Sequence, residues 1–583
     1  MTAPTDETAR IERDRATITD ARSRGLFAKL GAYTKLSGPG WLQGAITLGG
    51  GSLAGSLYLG IIGGYEMMWL QPLMMIFGIV MLSAIAYVAL STQRSPFHEI
   101  NTHISPVLGW GWAIATLMAN LVWAMPQFSL GTAAMQQNLG LVPDTTREWF
   151  GVNEGQWACV AILFAVCYLV VWFYDSGGWG VKAFEVLLKV MVAVIVVSFF
   201  AVVIAMTTGS AGLPWGEIFT GFVPNPSLLF EPAESLAPLV AQSSDPDYWR
   251  GVIVSAQRDR MVAAAATAVG INMTFLLPYS MLKRRWDRDF RGLATFDLAT
   301  GLFIPFLLAT SCVVIAAASQ FHGKIEPGLL DPAKATPQSK KLEGDYQKRL
   351  NGVLANIHGD KFGKRTDAQQ QADRDALKLE DKTIAATLIK RDAHALADSL
   401  QELAGKGIAQ YVFGIGVLGM AVSTIIILML INGFTICEIL GRPSRGFLHR
   451  FGCLLPGVTG GFGFLYLWTG KAKFYLAVPT SRFGMVLLPI AYVAFLLLMN
   501  NRRVLGEEMP RGGKRWGINL LMSVAVALAL IGAGMSILND TAVLPPIRIE
   551  GVRVRDVALG LLGGLIALAV AVHFLRKPRS RDA

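Results

Sequence analysis

Two short polar stretches interrupt apolar runs in this chain. The first is Gly49-Gly50-Gly51-Ser52, within GAITLGGGSLAGSLYLG (44–60). The second is Gly270 followed by Asn272, Met273 and Thr274, within AAAATAVGINMTFLLPYSMLKRRW (263–286). Each glycine costs a helix about 1 kcal/mol relative to alanine, and three in a row cover all sides of the helix, which points to unwound backbone. Unwinding at membrane depth survives only where it is buried in protein or lines a cavity. Two chemistries then stand open. Bared N–H groups at the start of a half-helix would suit an anion or a carboxylate. The oxygens of Ser52, Asn272 and Thr274, with unwound carbonyls, would instead suit a partly hydrated cation, to which the thioether of Met273 adds a soft donor.

The elements that must position these residues are membrane helices. The chain has 583 residues, 53% hydrophobic and only 16% charged, against about 25% charged in soluble domains. Apolar runs long enough to cross a bilayer recur from end to end. They predict twelve spans: 38–62, 67–92, 108–134, 157–174, 185–208, 261–282, 293–319, 408–432, 451–469, 483–500, 516–537 and 557–575. The net charge of +11 lies at helix ends, which excludes a nucleic-acid binder. With the N-terminus inside, KRRWDRDFR (283–291), GRPSRGFLHR (441–450), NRRVLGEEMPRGGKR (501–515) and RKPRSR (576–581) all become cytoplasmic. The expectation is an integral protein of the plasma (inner) membrane with both termini cytoplasmic and the lipid bilayer as its partner. No protein partner is legible. The opening residues have no short apolar core before a cleavage site and read as a cytoplasmic tail.

This organises the chain as a tail (1–37), spans one to five (38–208), a loop with spans six and seven (209–319), a polar insert (320–407), spans eight to ten (408–500), and spans eleven and twelve with a basic tail (501–583). In the insert, Leu377, Ile384, Leu388, Leu396, Leu400 and Leu403 recur at helical spacing, so an extracytoplasmic helical cap is expected. The insert carries no nucleophile–base set. His322, His358 and His394 are too far apart to propose as a metal site and are read as solvated; His98, His103, His449 and His573 receive no role. The five cysteines, Cys159, Cys167, Cys312, Cys437 and Cys453, read as small apolar residues. No cofactor motif or enzyme constellation is present.

The interrupted spans are the first and the sixth. That is the relation expected if spans one to five and six to ten are inverted repeats holding a substrate near the midplane between discontinuous helices. Alternating access by one bundle rocking against the other would be the mechanism. Other polar residues in spans are candidate pocket-lining groups: Asn120 and Gln127 flank Pro126 in span three, and Thr310 lies in span seven. Lys189 and Asp297 are expected to snorkel at helix ends. Asp245, Asp247, Arg258, Asp259 and Arg260 are expected in a solvated loop before span six, with an outer gate as the alternative.

The segment GPGWLQGAITLGGGSLAGSLYLGIIGGYEMMW (38–69) resembles the first span of the NRAMP family of proton-coupled divalent-metal transporters, through Gly38-Pro39-Gly40, Ala54, Gly60, Gly64-Tyr65 and Trp69. The likeness continues in Ser280 and Leu282, in FDLATGLFIPFLLATS (296–311), in LINGFTICE (430–438) and in LLPIAYVAFLLLMNNRRVLGEE (487–508). It implies an all-α polytopic membrane protein with a LeuT-like inverted-repeat core of 5+5 helices, plus two extra C-terminal helices. The family's metal-binding residues do not carry over. Its Asp-Pro-Gly-Asn falls on Gly49, Gly50, Gly51 and Ser52. Its Met-Pro-His falls on Asn272, Met273 and Thr274, or one residue later. Its span-ten glutamine falls near Ser481, and an asparagine falls near Thr310. The resemblance implies a secondary transporter whose default cargo is a divalent cation, with selectivity altered towards a hydrated ion such as magnesium. A carrier of an amino acid or organic anion held at the glycines, and a non-transporting sensor or scaffold, remain the alternatives; the identity of any bound metal stays open.

Overall fold

In lipid, an apolar chain can satisfy its own N–H and C=O groups by coiling into α-helices, and the computed structural model is helical nearly throughout. It describes residues 6–145, 147–175, 179–209, 212–326, 328–389, 407–467 and 477–538, with a few positions beyond. Two helices precede the membrane domain, α1 (Asp6–Ser23) and α2 (Leu26–Leu36). The first span is a broken pair, α3 (Pro39–Thr47) and α4 (Gly50–Gly63). Then follow α5 (Leu70–Thr92), α6 (Pro106–Ala133), α7 (Glu154–Asp175) and α8 (Trp179–Thr208). The sixth span is a second pair, α9 (Pro246–Ala268) and α10 (Ile271–Lys283). The seventh comprises α11 (Arg291–Leu298) and α12 (Ile304–Phe321), joined by a wider π-type turn at Ala299–Phe303.

Beyond the insert helices α13 (Pro337–His358) and α14 (Leu379–Thr387) come α15 (Phe413–Ile439), α16 (Phe447–Phe462), α17 (Ala477–Met499) and α18 (Gly512–Leu538). Among the described residues, nine helices are long and apolar enough to cross a membrane, and the bent pair α3–α4 makes a tenth. The expected ninth span is α16, which runs on as a π-type turn to Leu467. The expected twelfth span (557–575), the basic tail at 576–581, and Leu396, Leu400, Leu403, His394 and His573 lie outside the described residues.

Two packing groups emerge. α4 lies against α9 and α12, while α15 lies against α6, α8 and α16. Small residues permit the closest approaches, as is usual where lipid gives helices no hydrophobic reason to associate. A Cβ on Gly60 would sit 2.6 Å from the Val314 carbonyl oxygen, and one on Gly55 3.1 Å from Ala264 Cα. Gly64 ends α4 at φ +54, a conformation that disfavours any other residue there. The five cysteines are buried, and none of them forms a disulfide.

Three expectations need correction. The sixth span begins at Pro246 rather than near 261, so Asp259 and Arg260 are buried within α9 instead of solvated. Asp259 pairs with Arg482 of α17 at 3.1 Å. Asp297 does not snorkel. It is fully buried, and its carboxylate accepts from Gly38 N (3.1 Å) and Gly40 N (2.7 Å) at the start of α3. Lys189 is likewise engaged, donating to Ser37 O at 2.8 Å. Arg284, at the end of α10, pairs with Glu185 and donates to Leu36 O at 3.3 Å. This network ties the start of α3 to α8, α10 and α11 on the face that carries the basic loops. On the same face Arg15 of α1 grips Asp287 and Asp289. Arg291 and Arg288 hold the Glu508 carboxyl below its usual range by hydrogen bonds.

The insert closes over the opposite end of α9. Leu377, Ile384 and Leu388 are buried. The buried Asp381 carboxylate accepts from Trp249 Nε1 (2.6 Å), Ser244 Oγ (2.6 Å) and Ser244 N (3.1 Å). Asp381→Ala would orphan those donors, at about 1–3 kcal/mol for a buried one. The expected outcome is faster protease cleavage within 330–389 while the membrane helices stay resistant, read by limited proteolysis.

Candidate functional site between two broken helices

α3 ends at Thr47, and Leu48 (φ −78, ψ 66) and Gly49 (φ −125, ψ −173) redirect the chain before α4 starts. The two halves are bent by 52°. Unwinding is therefore confined to Leu48 and Gly49; Gly50, Gly51 and Ser52 form the first turn of α4. None of these backbone angles demands glycine. Space does: a Cβ on Gly49 would lie 2.3 Å from Thr424 Oγ1, and one on Gly50 3.1 Å from Gln127 Oε1.

The carbonyls freed at the end of α3 can be accounted for one by one. Gly44 O accepts from Leu48 N at 2.9 Å. Ala45 O accepts from Ser423 Oγ at 3.0 Å, and Ile46 O from Thr424 Oγ1 at 3.4 Å. Thr47 O accepts from the Ser52 hydroxyl across the break. On the other side Gly50 N donates to Gln127 Oε1 at 2.8 Å. Neutral side chains thus close the first break.

The second break is extended backbone at Val269 (φ −140, ψ 116) and Gly270 (φ −88, ψ 161). Met273 joins the two breaks: its Sδ accepts from Thr47 Oγ1 at 3.1 Å and from Gly270 N at 3.4 Å. Asn272 Oδ1 accepts from Met273 N at 2.9 Å. That bond occupies the oxygen end of the amide, and its Nδ2 is buried without a hydrogen-bond partner. Pro278 lies within α10 without ending it.

Gly49, Gly50, Gly51, Ser52, Gly270, Asn272, Met273 and Gln127 therefore assemble around one locus. Three candidates do not point there. Thr274 donates to Ile271 O (2.5 Å) and accepts from Trp112 Nε1 (2.9 Å). Asn120 Nδ2 donates to Asn432 Oδ1 at 3.4 Å. Thr310 is tied back to Phe306 O at 2.7 Å.

Sequence reading missed Thr47, Ser423, Thr424 and Thr267. The Ser423-Thr424 pair, two hydroxyls in the middle of an apolar span, was the available signal. Ser481, noted only as a lost ligand, borders Gly51 together with Thr267: a Cβ there would lie 3.5 Å from Ser481 Oγ and 3.3 Å from Thr267 Cγ2. Gln71 links Ser56 (2.8 Å) to Thr267 (3.4 Å), tying α4 to α9 through α5.

No charge reaches this locus from the breaks themselves. Among the described residues, no group of three or more His, Cys, Asp or Glu side chains is placed to hold a metal ion. Asp259 lies along α9 about 13 Å before the break at 1.5 Å per residue, in its pair with Arg482. Neutral amides, hydroxyls and one thioether can hold a ligand only weakly if it is a bare divalent ion, because they offer no counter-charge for lost hydration.

Discontinuous first and sixth helices, facing each other in the middle of a polytopic bundle, define a secondary transporter of the inverted-repeat class. The chain matches the family model described as natural resistance-associated macrophage protein-like over residues 40–348 and 382–534, and it belongs to that Nramp family of membrane transporters, which is not a family of enzymes. It is similar in structure to a manganese transporter of Eremococcus coleocola solved with an aromatic bis-isothiourea substituted compound. The TM-score is 0.61 at 15% identity, covering 94% of this chain and 95% of that one. Two variants of the same transporter match with TM-score 0.53, at 15% and 14% identity, each covering 93% of this chain and 95% of its own. The shared fold is the LeuT-like 5+5 arrangement. A comparison with curated proteins found no match.

His322, expected to be solvated, instead locks the opposite end of α4. Its Nδ1 lies 3.0 Å from Ile61 O and its Nε2 2.7 Å from Ser235 Oγ. A carbonyl only accepts, so Nδ1 carries the proton and Nε2 accepts from Ser235. Burial pushes the imidazole below its ordinary value. The unfolded chain then binds a proton that the folded chain resists as pH falls through about 6.5. Stability from this group is present above that pH and lost below it. Thermal unfolding in detergent is expected to lose about 1–3 °C more between pH 7.5 and 5.5 in the wild type than in His322→Gln.

Proposed function

We propose that this chain carries a divalent cation across the plasma membrane by alternating access, taking it in largely hydrated form, with magnesium favoured over manganese or iron. We place both termini in the cytoplasm, because the basic loops share the face of α1 and α2. Family membership supports a cation, and manganese is what the structurally similar transporter is named for. The single observation that carries the altered selectivity is the neutrality of the locus between the breaks. Thr424 Oγ1 occupies the volume a side chain at position 49 would need, so the residue that the family resemblance leads one to expect there, an aspartate, has no room. Magnesium keeps several waters when bound and tolerates neutral oxygen ligands; softer metals gain little from such a set. The capping of Gly50 N by Gln127 also speaks against an anion at the start of α4.

One observation favours a second reading. The buried Nδ2 of Asn272 is a donor without a partner, and a carboxylate would satisfy it. An amino acid or organic acid is therefore the alternative cargo.

Purified protein in liposomes loaded with cation-sensitive dyes tests both. Magnesium uptake with little accompanying proton movement is expected. No uptake of magnesium, manganese, calcium or iron, together with a thermal shift of about 2.7 kcal/mol at 100 times the dissociation constant of a carboxylate, would favour the second reading. Gly49→Asp alone is expected to destabilise, because its Cβ meets Thr424 Oγ1 at 2.3 Å. Gly49→Asp with Thr424→Ala relieves that clash and supplies a carboxylate. It is expected to raise the preference for manganese over magnesium about tenfold or more, the effect of roughly 1.4 kcal/mol.

A further inference from the structure

Gln43 of α3 has no exposed surface, and neither its Oε1 nor its Nε2 has a hydrogen-bond partner. An amide left wholly unsatisfied in a packed interior needs a reason, and its position supplies one. Along α3, Gly40 and Gly44 press on the seventh span: Cβ atoms there would lie 2.1 Å from Asp297 O and Gly301 O. The carbonyl of Ala45 is taken by Ser423 of α15. Thr47 turns towards α10, where it meets Met273. Gln43 precedes Thr47 by four residues, which puts the two on one helix face about 40° apart.

The register of the two half-helices fixes its depth. They run antiparallel, joined at the break by Thr47 and Met273 and at the basic face by Leu36 and Arg284. Gln43 stands about 6 Å below Thr47 and about 7 Å above Gly38 at 1.5 Å per residue. It is thus a polar group set between the broken-helix locus and the contacts of Asp297, Arg284 and Glu185, with no hydrogen-bond partner among the described residues.

We propose that Gln43 forms a second, inner binding position for the hydrated cation on its way from the breaks to the cytoplasm. This rests on the cation reading above. The Oε1 accepts a hydrogen from a water of the ion's shell, and Nε2 donates to an outer water. Neither contact strips the ion, so the position is occupied in passing instead of trapping it.

Gln43→Leu keeps the size of the side chain and removes both polar atoms. In proteoliposomes its turnover number for magnesium is expected to fall about tenfold while KM stays within about twofold. Its unfolding temperature is expected to hold or rise, since an unsatisfied amide has been replaced by an apolar group. Turnover at the wild-type rate overturns the proposal. A second measurement is independent of the cargo. The native cysteines with described placement are buried, so Gln43→Cys can be probed with a charged, membrane-impermeant methanethiosulfonate from the side of the basic loops. Modification that saturating magnesium slows supports the inner position, and a thiol that stays unmodified overturns it. If wild-type liposomes take up no cation, the cation reading fails by itself. The labelling result then still decides whether Gln43 lies on a water-filled path.

Discussion

The constraint that governs this protein is the demand of backbone groups for partners where there is no water. Breaking a helix at mid-bilayer frees carbonyls on one side and N–H groups on the other, at several kcal/mol for each left bare. Here the carbonyls at the end of α3 go to Ser423, Thr424 and Ser52, and the first N–H of α4 goes to Gln127. Two other spans, with Ser52 of the first span's own second half, therefore supply the partners that let it bend. The broken helix cannot exist apart from α6 and α15, and the site is a property of the assembled bundle.

That solution shapes the chemistry. Hydroxyls and amides spent on closing a break are only partly available to a ligand. Ser52 and Thr274 already serve backbone or tryptophan partners, and Met273 ties the two breaks together through weak sulfur contacts. What remains open is small and uncharged. A transported ion must leave as well as arrive, so weak neutral ligands are compatible with turnover where a carboxylate would be needed for tight capture. The charged groups stand apart from the breaks, as Asp259 with Arg482 on one side and Asp297, Arg284, Glu185 and Lys189 on the other. Asp259 with Arg482 joins α9 to α17, and the second group fastens the start of α3 to α8, α10 and α11.

The insert and the N-terminal helices extend the same logic to the two faces. Asp381 holds the insert to the start of α9, and Arg15 holds α1 to the loop after α10. Each grips one end of the sixth span, whose apolar stretch is wholly buried by the rest of the protein.

Much of this was legible from residue types alone. Long apolar runs fixed the membrane helices because lipid allows few alternatives, and the polar, glycine-bearing stretches at 49–52 and 270–274 marked where the first and sixth spans break. What stayed hidden depended on neighbours distant in the chain. The sequence shows that no acid stands at residues 49–52. It does not show that Thr424, far along the chain, fills the space. It marks Asp297 as a charge near a helix end and Asp259 as part of a solvated loop, yet only packing turned one into a cap for α3 and the other into half of an ion pair. Periodicity and composition are local, so the sequence by itself determined the span pattern and the positions of the breaks. Burial and hydrogen-bond partnership arise between spans, so tertiary structure alone decided which polar groups are spent on the backbone and which are left to meet a ligand.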